Sequence, residues 1–157
     1  MAQLYGLHGN AVHGDTDSVD TTAKNRLGTR AFDSAGNEYI YLTGVASTVA
    51  GSWVSFDEAH LTTLLVANAK GRVGIAMAAT VASRYGWYQI YGINSIALVL
   101  ASFADNGLIF STATAGSVDD AAVAGDLVVG AMGRSAVSGG VATMELNYPF
   151  ATDNLGS

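Results

Sequence analysis

The stretch "SRYGWYQIYGIN", Ser83 to Asn94, crowds Tyr85, Trp87, Tyr88 and Tyr91 together, with no charge between Gly86 and Gly92. Read as a strand, its side chains alternate faces with a period of two. Tyr85, Trp87, Gln89 and Tyr91 then share one face, and Tyr88 and Ile90 the other. A strand on the outside of a free monomer keeps one face polar. This one is apolar on both, so both faces are predicted to be covered. Three arrangements satisfy that pattern. It can be the central strand of a β-sandwich. It can pack one face against another subunit through Tyr85, Trp87, Tyr88 and Tyr91, since Trp and Tyr concentrate in interface cores. Or its rings can form a sugar platform, a kind of site that usually adds Asp, Asn and Arg, for which Arg84 and Asn94 are the only candidates nearby.

Working outward, short runs rich in Val, Ile, Thr and aromatics recur, separated by Gly, Asn, Asp and Ser, as in a protein of many short strands. "FDSAGNEYIYL" predicts a turn at Ala35-Gly36-Asn37 before a strand at Glu38–Leu42, and "AGSWVSF" a strand through Trp53–Phe56. "RVGIAMA" sets Val73, Ile75 and Met77 against a nearly bare face of Gly74, Ala76 and Ala78, which lets a neighbouring sheet come close. "VATMELNYPF" predicts Ala142, Met144, Leu146 and Tyr148 on one face, with Pro149, the only proline, ending the strand. Asp57–Gly71 fits a capped helix or a strand, and its β surroundings favour the strand. "TVAGSWV" and "TATAGSVD", with "VGIAM" and "VVGAM", hint at two related hairpin units. The fold expected is all-β: a compact barrel or sandwich of short antiparallel strands, residues 31–157 forming one domain. Residues 1–30 are polar and aperiodic and read as an extended N-terminal arm. Leu4, Tyr5, Leu7 and Val12 are its apolar contact residues.

Half of the 157 residues are apolar, yet only 13% are charged, against roughly 25% in an ordinary soluble domain. Small neutral residues must therefore cover much of the surface, as they do where proteins pack against one another. The net charge is −6, and the seven Lys and Arg are mostly scattered. Neutralising phosphates takes clustered cations, so no direct nucleic-acid binding is expected. There is no cysteine. "MAQLYGLHGN" lacks the marks of a signal peptide, and no apolar run approaches a bilayer span, so no membrane association is expected.

No motif argues for catalysis or a cofactor. "DEAH", Asp57–His60, matches a helicase signature letter for letter, but no phosphate-binding loop accompanies it. His8 and His13, with Asp15 or Asp17, read as loop residues rather than a metal site. Asp119, Asp120 and Asp126 read as acidic turns. No serine sits in a nucleophile elbow, so neither an enzyme nor a small trimeric β nucleotide hydrolase finds support.

"EYIYLTGVAS", "GSWVSFDE", "TTLLVANAKGRVGIAMA", "YGWYQIYG", "AGDLVVGAMGRS" and "VATMELNYPF" together resemble small structural proteins of tailed bacteriophages, of the capsid decoration or cement type. The resemblance runs from about Arg30 to Phe150, and "YGWYQIYG" is its most specific part. It implies a β-rich homotrimer, made in the host cytoplasm and carried on the outer surface of the virion. Such a protein bridges neighbouring capsomers of the major capsid protein. Its arm lies over the shell. The alternative is a receptor- or glycan-binding module of a tail or head fibre.

Overall fold

A computed structural model describes residues 2–6 and 11–152. Among them the chain is all-β, with thirteen strands and no helix. In chain order they are β1 (Gln3–Gly6), β2 (Ala11–Asp15), β3 (Val19–Asp20), β4 (Arg30–Phe32), β5 (Glu38–Thr43), β6 (Trp53–Phe56) and β7 (Thr62–Leu64). Then follow β8 (Gly71–Ala76), β9 (Tyr85–Leu98), β10 (Leu108–Ser111), β11 (Val118–Asp119), β12 (Leu127–Gly133) and β13 (Val141–Thr152). The main path of the sheet runs β11-β10-β12-β13-β8-β9-β5-β4-β1-β2. Its two ends do not meet, so the sheet is open and folds over itself like a sandwich. The barrel among the two expected architectures is not formed.

The opening stretch lies in β9, and β9 organises the molecule. It pairs with β5 over Tyr85–Tyr91, with β3 at Tyr85 and Gly86, with β8 at Tyr88 and Gln89, and with β13 from Tyr91 to Leu98. Both faces of its first half are covered by the chain itself. Trp87 packs with Leu4, Ala31, Tyr39 and Tyr41 on one side. Tyr88 and Ile90 pack with Ile40, Leu42, Val54, Phe56 and Ala76 on the other. A third and larger cluster joins Trp53, Val73 and Ile75 to Ile109, Val128, Met144 and Leu146. The bare face of β8 works as its composition suggests, but within one chain: a Cβ on Gly74 would sit 3.3 Å from that of Tyr88.

Residues 1–30, expected as an arm, hold β1, β2 and β3, and all three join the sheet. β1 pairs with β4 as well as β2, and β3 pairs with β9. Hydrophobic periodicity misses this segment because part of what it buries is polar. Asp20 is buried, accepts the Tyr41 hydroxyl at 2.6 Å and meets Lys24 Nζ at 3.1 Å.

Asp57–Gly71 contains the short strand β7 between two turns, not a helix. Pro149 does not end β13, which continues to Thr152. Between the pairs Ala131↔Leu146 and Val129↔Phe150, β13 carries more residues than β12, so the ladder is bulged there. The missing proline N–H falls in the bulge, where a donor is not needed. Of the internal echo, the local turn survives. Ser52 N–H donates to Val49 and Ser117 N–H to Thr114, each turn carrying a left-handed glycine, Gly51 or Gly116. The strands that follow pair differently, β6 with β7 and β8, β11 with β10.

Candidate functional site

The register of the strands assembles one exposed apolar face. Residues directly opposite in a ladder share a face. Ile93 of β9 lies opposite Glu145 of β13, Glu145 opposite Met132 of β12, and Met132 opposite Leu108 of β10. A second row runs from Arg72 of β8 through Phe150 to Val129. Tyr91, opposite Asn147, lies between the rows. Tyr91, Ile93, Leu108, Val129, Tyr148 and Phe150 are 41–55% exposed. Two shallow depressions share Glu145 and Asn147. One, of about 380 Å³, reaches Leu108, Val129 and Met132, and the other, of about 280 Å³, reaches Tyr91 and Ile93.

Tyr148 takes an unusual position here. Period two predicts it inward with Met144 and Leu146. Instead its backbone is left-handed, with φ 49°, and the side chain emerges on the exposed face. Its ring lies 5.3 Å from that of Tyr91, and the Arg30 guanidinium lies 5.7 Å from its centre. Its hydroxyl donates a short hydrogen bond to Glu38 Oε2, while Arg30 Nη1 donates to Glu38 Oε1 at 3.3 Å. That bond to a carboxylate, with burial second, raises the Tyr148 pKa above its ordinary value. Beside it a smaller pocket of about 150 Å³ is lined by Arg30, Phe56, Arg72, Val73, Ile90, Tyr148 and Pro149. Arg72 stacks 4.8 Å from the Phe56 ring centre.

The sequence-predicted interface residues divide. Trp87 and Tyr88 are buried in the monomer's own clusters. Tyr85 is half-buried against the Trp87 cluster, and Tyr91 alone of the four is exposed. Asn94 is buried, donating to Gln89 Oε1 at 2.9 Å and accepting from Ile96 N–H, so it is not available to a sugar. Of the arm residues, Leu4 is buried, Val12 packs against the same cluster, Tyr5 is exposed, and Leu7 lies outside the described residues. Sequence reading missed Ile93, Leu108, Val129, Tyr148 and Phe150. The available signal was consecutive apolar residues in a single strand, as at Val128-Val129, which leave one side chain facing out; Leu108 breaks alternation, exposed while Ile109 and Phe110 are both buried, at a shift in the ladder's register.

Three of the acids weighed for chemistry serve local structure. Asp57 Oδ1 accepts the N–H groups of Ala59 and Leu61, making "DEAH" a turn. Asp120 Oδ2 accepts Ala104 N–H at 3.0 Å, and Asp126 Oδ1 accepts Asn68 N–H. His13 is exposed, and His8 lies outside the described residues. Among the described residues no three His, Cys, Asp or Glu gather as they would around a metal ion. No helix among them is long and apolar enough to cross a membrane. Comparison with protein-family models, with curated proteins and with solved structures returned no match.

Proposed function

We propose that this chain is a virion structural protein of the capsid decoration type, which binds the outside of an assembled phage head and bridges neighbouring capsomers. One observation carries the reading: a broad face, apolar across β9, β10, β12 and β13, on a molecule with few charges anywhere. Exposed apolar patches of several hundred Å² mark interaction sites. The sequence resemblance supplies the kind of partner, a shell of the major capsid protein. The mechanism is mechanical. A protein that binds only the assembled lattice stabilises it by mass action, and several weak contacts per assembly give avidity without any strong one.

The test is cosedimentation of the purified protein with expanded, undecorated capsids. Saturable binding at a fixed ratio to capsomers, with capsids surviving heating better, is expected. Absence of binding, with retention on a glycan array instead, overturns the reading in favour of a receptor module.

A further inference from the structure

We infer that the pocket between Arg30 and Arg72 is a binding site for a carboxylate carried on a short apolar stem. The inference goes beyond the proposed function and does not depend on it. Side chains from five strands, β4, β6, β8, β9 and β13, converge on this pocket. Its charge, its lining and its rigidity each point to that ligand.

Charge comes first. Two guanidiniums line the pocket, and the one carboxylate bonded to its walls, Glu38, is already taken by Arg30. Arg72 stacks 4.8 Å from the Phe56 ring centre and has no carboxylate partner among the described residues. The N–H donors of a guanidinium lie in its own plane. Stacking on a ring therefore leaves them free to grip both oxygens of one carboxylate.

The lining sets the rest of the ligand. The pocket holds about 150 Å³, the volume of an apolar cavity that takes one benzene, so the ligand is small. Val73, Ile90 and Pro149 offer it only apolar side chains, and the two arginines donate but cannot accept. Among the lining side chains only the Tyr148 oxygen can accept a hydrogen bond. A sugar would bring several hydroxyl donors to that one side-chain acceptor, and a buried donor without a partner is costly. An acid whose remainder is hydrocarbon brings none.

The walls are fixed in advance. Glu38 is 3% exposed, and it holds both sides of the entrance: Oε1 accepts from Arg30 Nη1 and Oε2 from the Tyr148 hydroxyl. The left-handed backbone of Tyr148, φ 49°, is strained for a bulky residue. Strain of that kind persists only where the surroundings enforce it, and it concentrates at ligand clamps. Walls ordered before the ligand arrives lose little freedom when it binds.

The experiment titrates the full chain with sodium isobutyrate, at ionic strength matched with sodium chloride. Nuclear magnetic resonance follows the Arg72 Nε–H and the Val73 and Ile90 methyls. Saturable shifts are expected, with a Kd on the order of 1 mM. Isobutyramide has the shape without the charge, and inorganic phosphate has the charge without the stem. Each is expected to bind at least about tenfold more weakly. Arg72→Gln is expected to lose about tenfold in affinity for isobutyrate with an unchanged circular dichroism spectrum. Arg134→Gln, whose partner is Glu145 outside this pocket, is expected to bind as wild type does. If Arg72→Gln misfolds, the isobutyramide comparison on wild type decides the matter. A capped Leu-Glu-Leu peptide separates two sources of the same chemistry. Tighter binding than isobutyrate assigns the pocket to an acidic side chain of a docked protein, and no tighter binding assigns it to a free acid; either leaves the site standing. Absence of shifts with isobutyrate, equal binding of isobutyramide or phosphate, or wild-type affinity in a folded Arg72→Gln variant overturns the inference. No capsid enters this titration, so the site and the proposed function fail separately.

Discussion

Trp53 and Trp87 are both fully buried, and they differ in one atom's surroundings. Trp53 Nε1 donates to the Leu98 carbonyl at 3.1 Å, whereas Trp87 Nε1 has no hydrogen-bond partner among the described residues. Replacing Trp87 by Phe is therefore expected to cost only packing, about 1–2 kcal/mol. Trp53→Phe adds the loss of a buried bond, about 1–3 kcal/mol more. Urea unfolding midpoints of the two variants check the order, and equal losses would contradict it. Gly92 is the other position with a sharp expectation. Its φ is +97°, and a Cβ there would fall 2.0 Å from Asn37 Oδ1, the acceptor of Ile93 N–H. Gly92→Ala is expected to lose about 2 kcal/mol or more, seen as a lower urea midpoint. At this scale the sequence is legible where alternation holds and silent where it breaks. That both faces of Trp87 and Tyr88 would be covered followed from pattern alone. That the cover is Leu4, Tyr41 and Phe56 rather than another subunit did not, because periodicity reports burial and not what buries. Counting puts Tyr148 on the wrong face, since its left-handed backbone reverses the face that alternation assigns.

The β4–β5 hairpin shows how one side chain fixes an element. Asp33 Oδ1 accepts the N–H groups of Ala35 and Asn37 at 2.9 and 3.0 Å, and its Oδ2 accepts Asn37 Nδ2 and the Tyr39 hydroxyl, both at 2.8 Å. Burial raises its pKa, but these hydrogen bonds outweigh burial and hold the carboxyl below its ordinary value. The stabilisation is thus complete above about pH 4 and disappears as pH falls through the depressed value. Asp33→Asn is expected to lose about 1 kcal/mol at neutral pH, and the gap to wild type to close in acid. A gap constant with pH would show that the charge is irrelevant. The turn itself was legible, because Ala-Gly-Asn after Asp is strong turn chemistry. The strands β1–β3 were not. β1 contributes Leu4 to the Trp87 cluster, and Leu4→Ala is expected to cost about 2–4 kcal/mol in a denaturant titration, far more than an independent arm would. An unchanged midpoint would restore the arm.

Across the whole molecule, stability at high pH reports on tyrosines in two of the three clusters. Burial, then the bond to Asp20, pushes the Tyr41 pKa up to about 12. Burial pushes that of Tyr88 up to about 12 against the opposing effect of Thr62 and Thr80. Both hydroxyls must stay protonated in the fold, so their contribution is full below about pH 10 and is lost as pH rises toward 12. The share of the tyrosinate absorbance that disappears in Tyr41→Phe and Tyr88→Phe variants is expected to rise together with loss of the circular dichroism signal, and that share forming in an intact fold would contradict this. The β class was plain in the sequence, since many short runs with turn residues between them admit little else. An open sheet rather than a barrel was not plain, because closure depends on which strands meet at long range.

The placement of β13 bears on how the chain reaches its native state. This strand, latest in sequence among those described, pairs with β8, β9 and β12 and supplies Ala142, Met144, Leu146 and Ala151 to the largest cluster. On a ribosome, everything made earlier must wait with that cluster unfinished until residue 151 has emerged. Distant partners of this kind make a slow folder, in the millisecond-to-second range. The half-made chain meanwhile exposes greasy strands to its neighbours, so its yield in a cell depends on crowding during synthesis as much as on the strength of the finished fold.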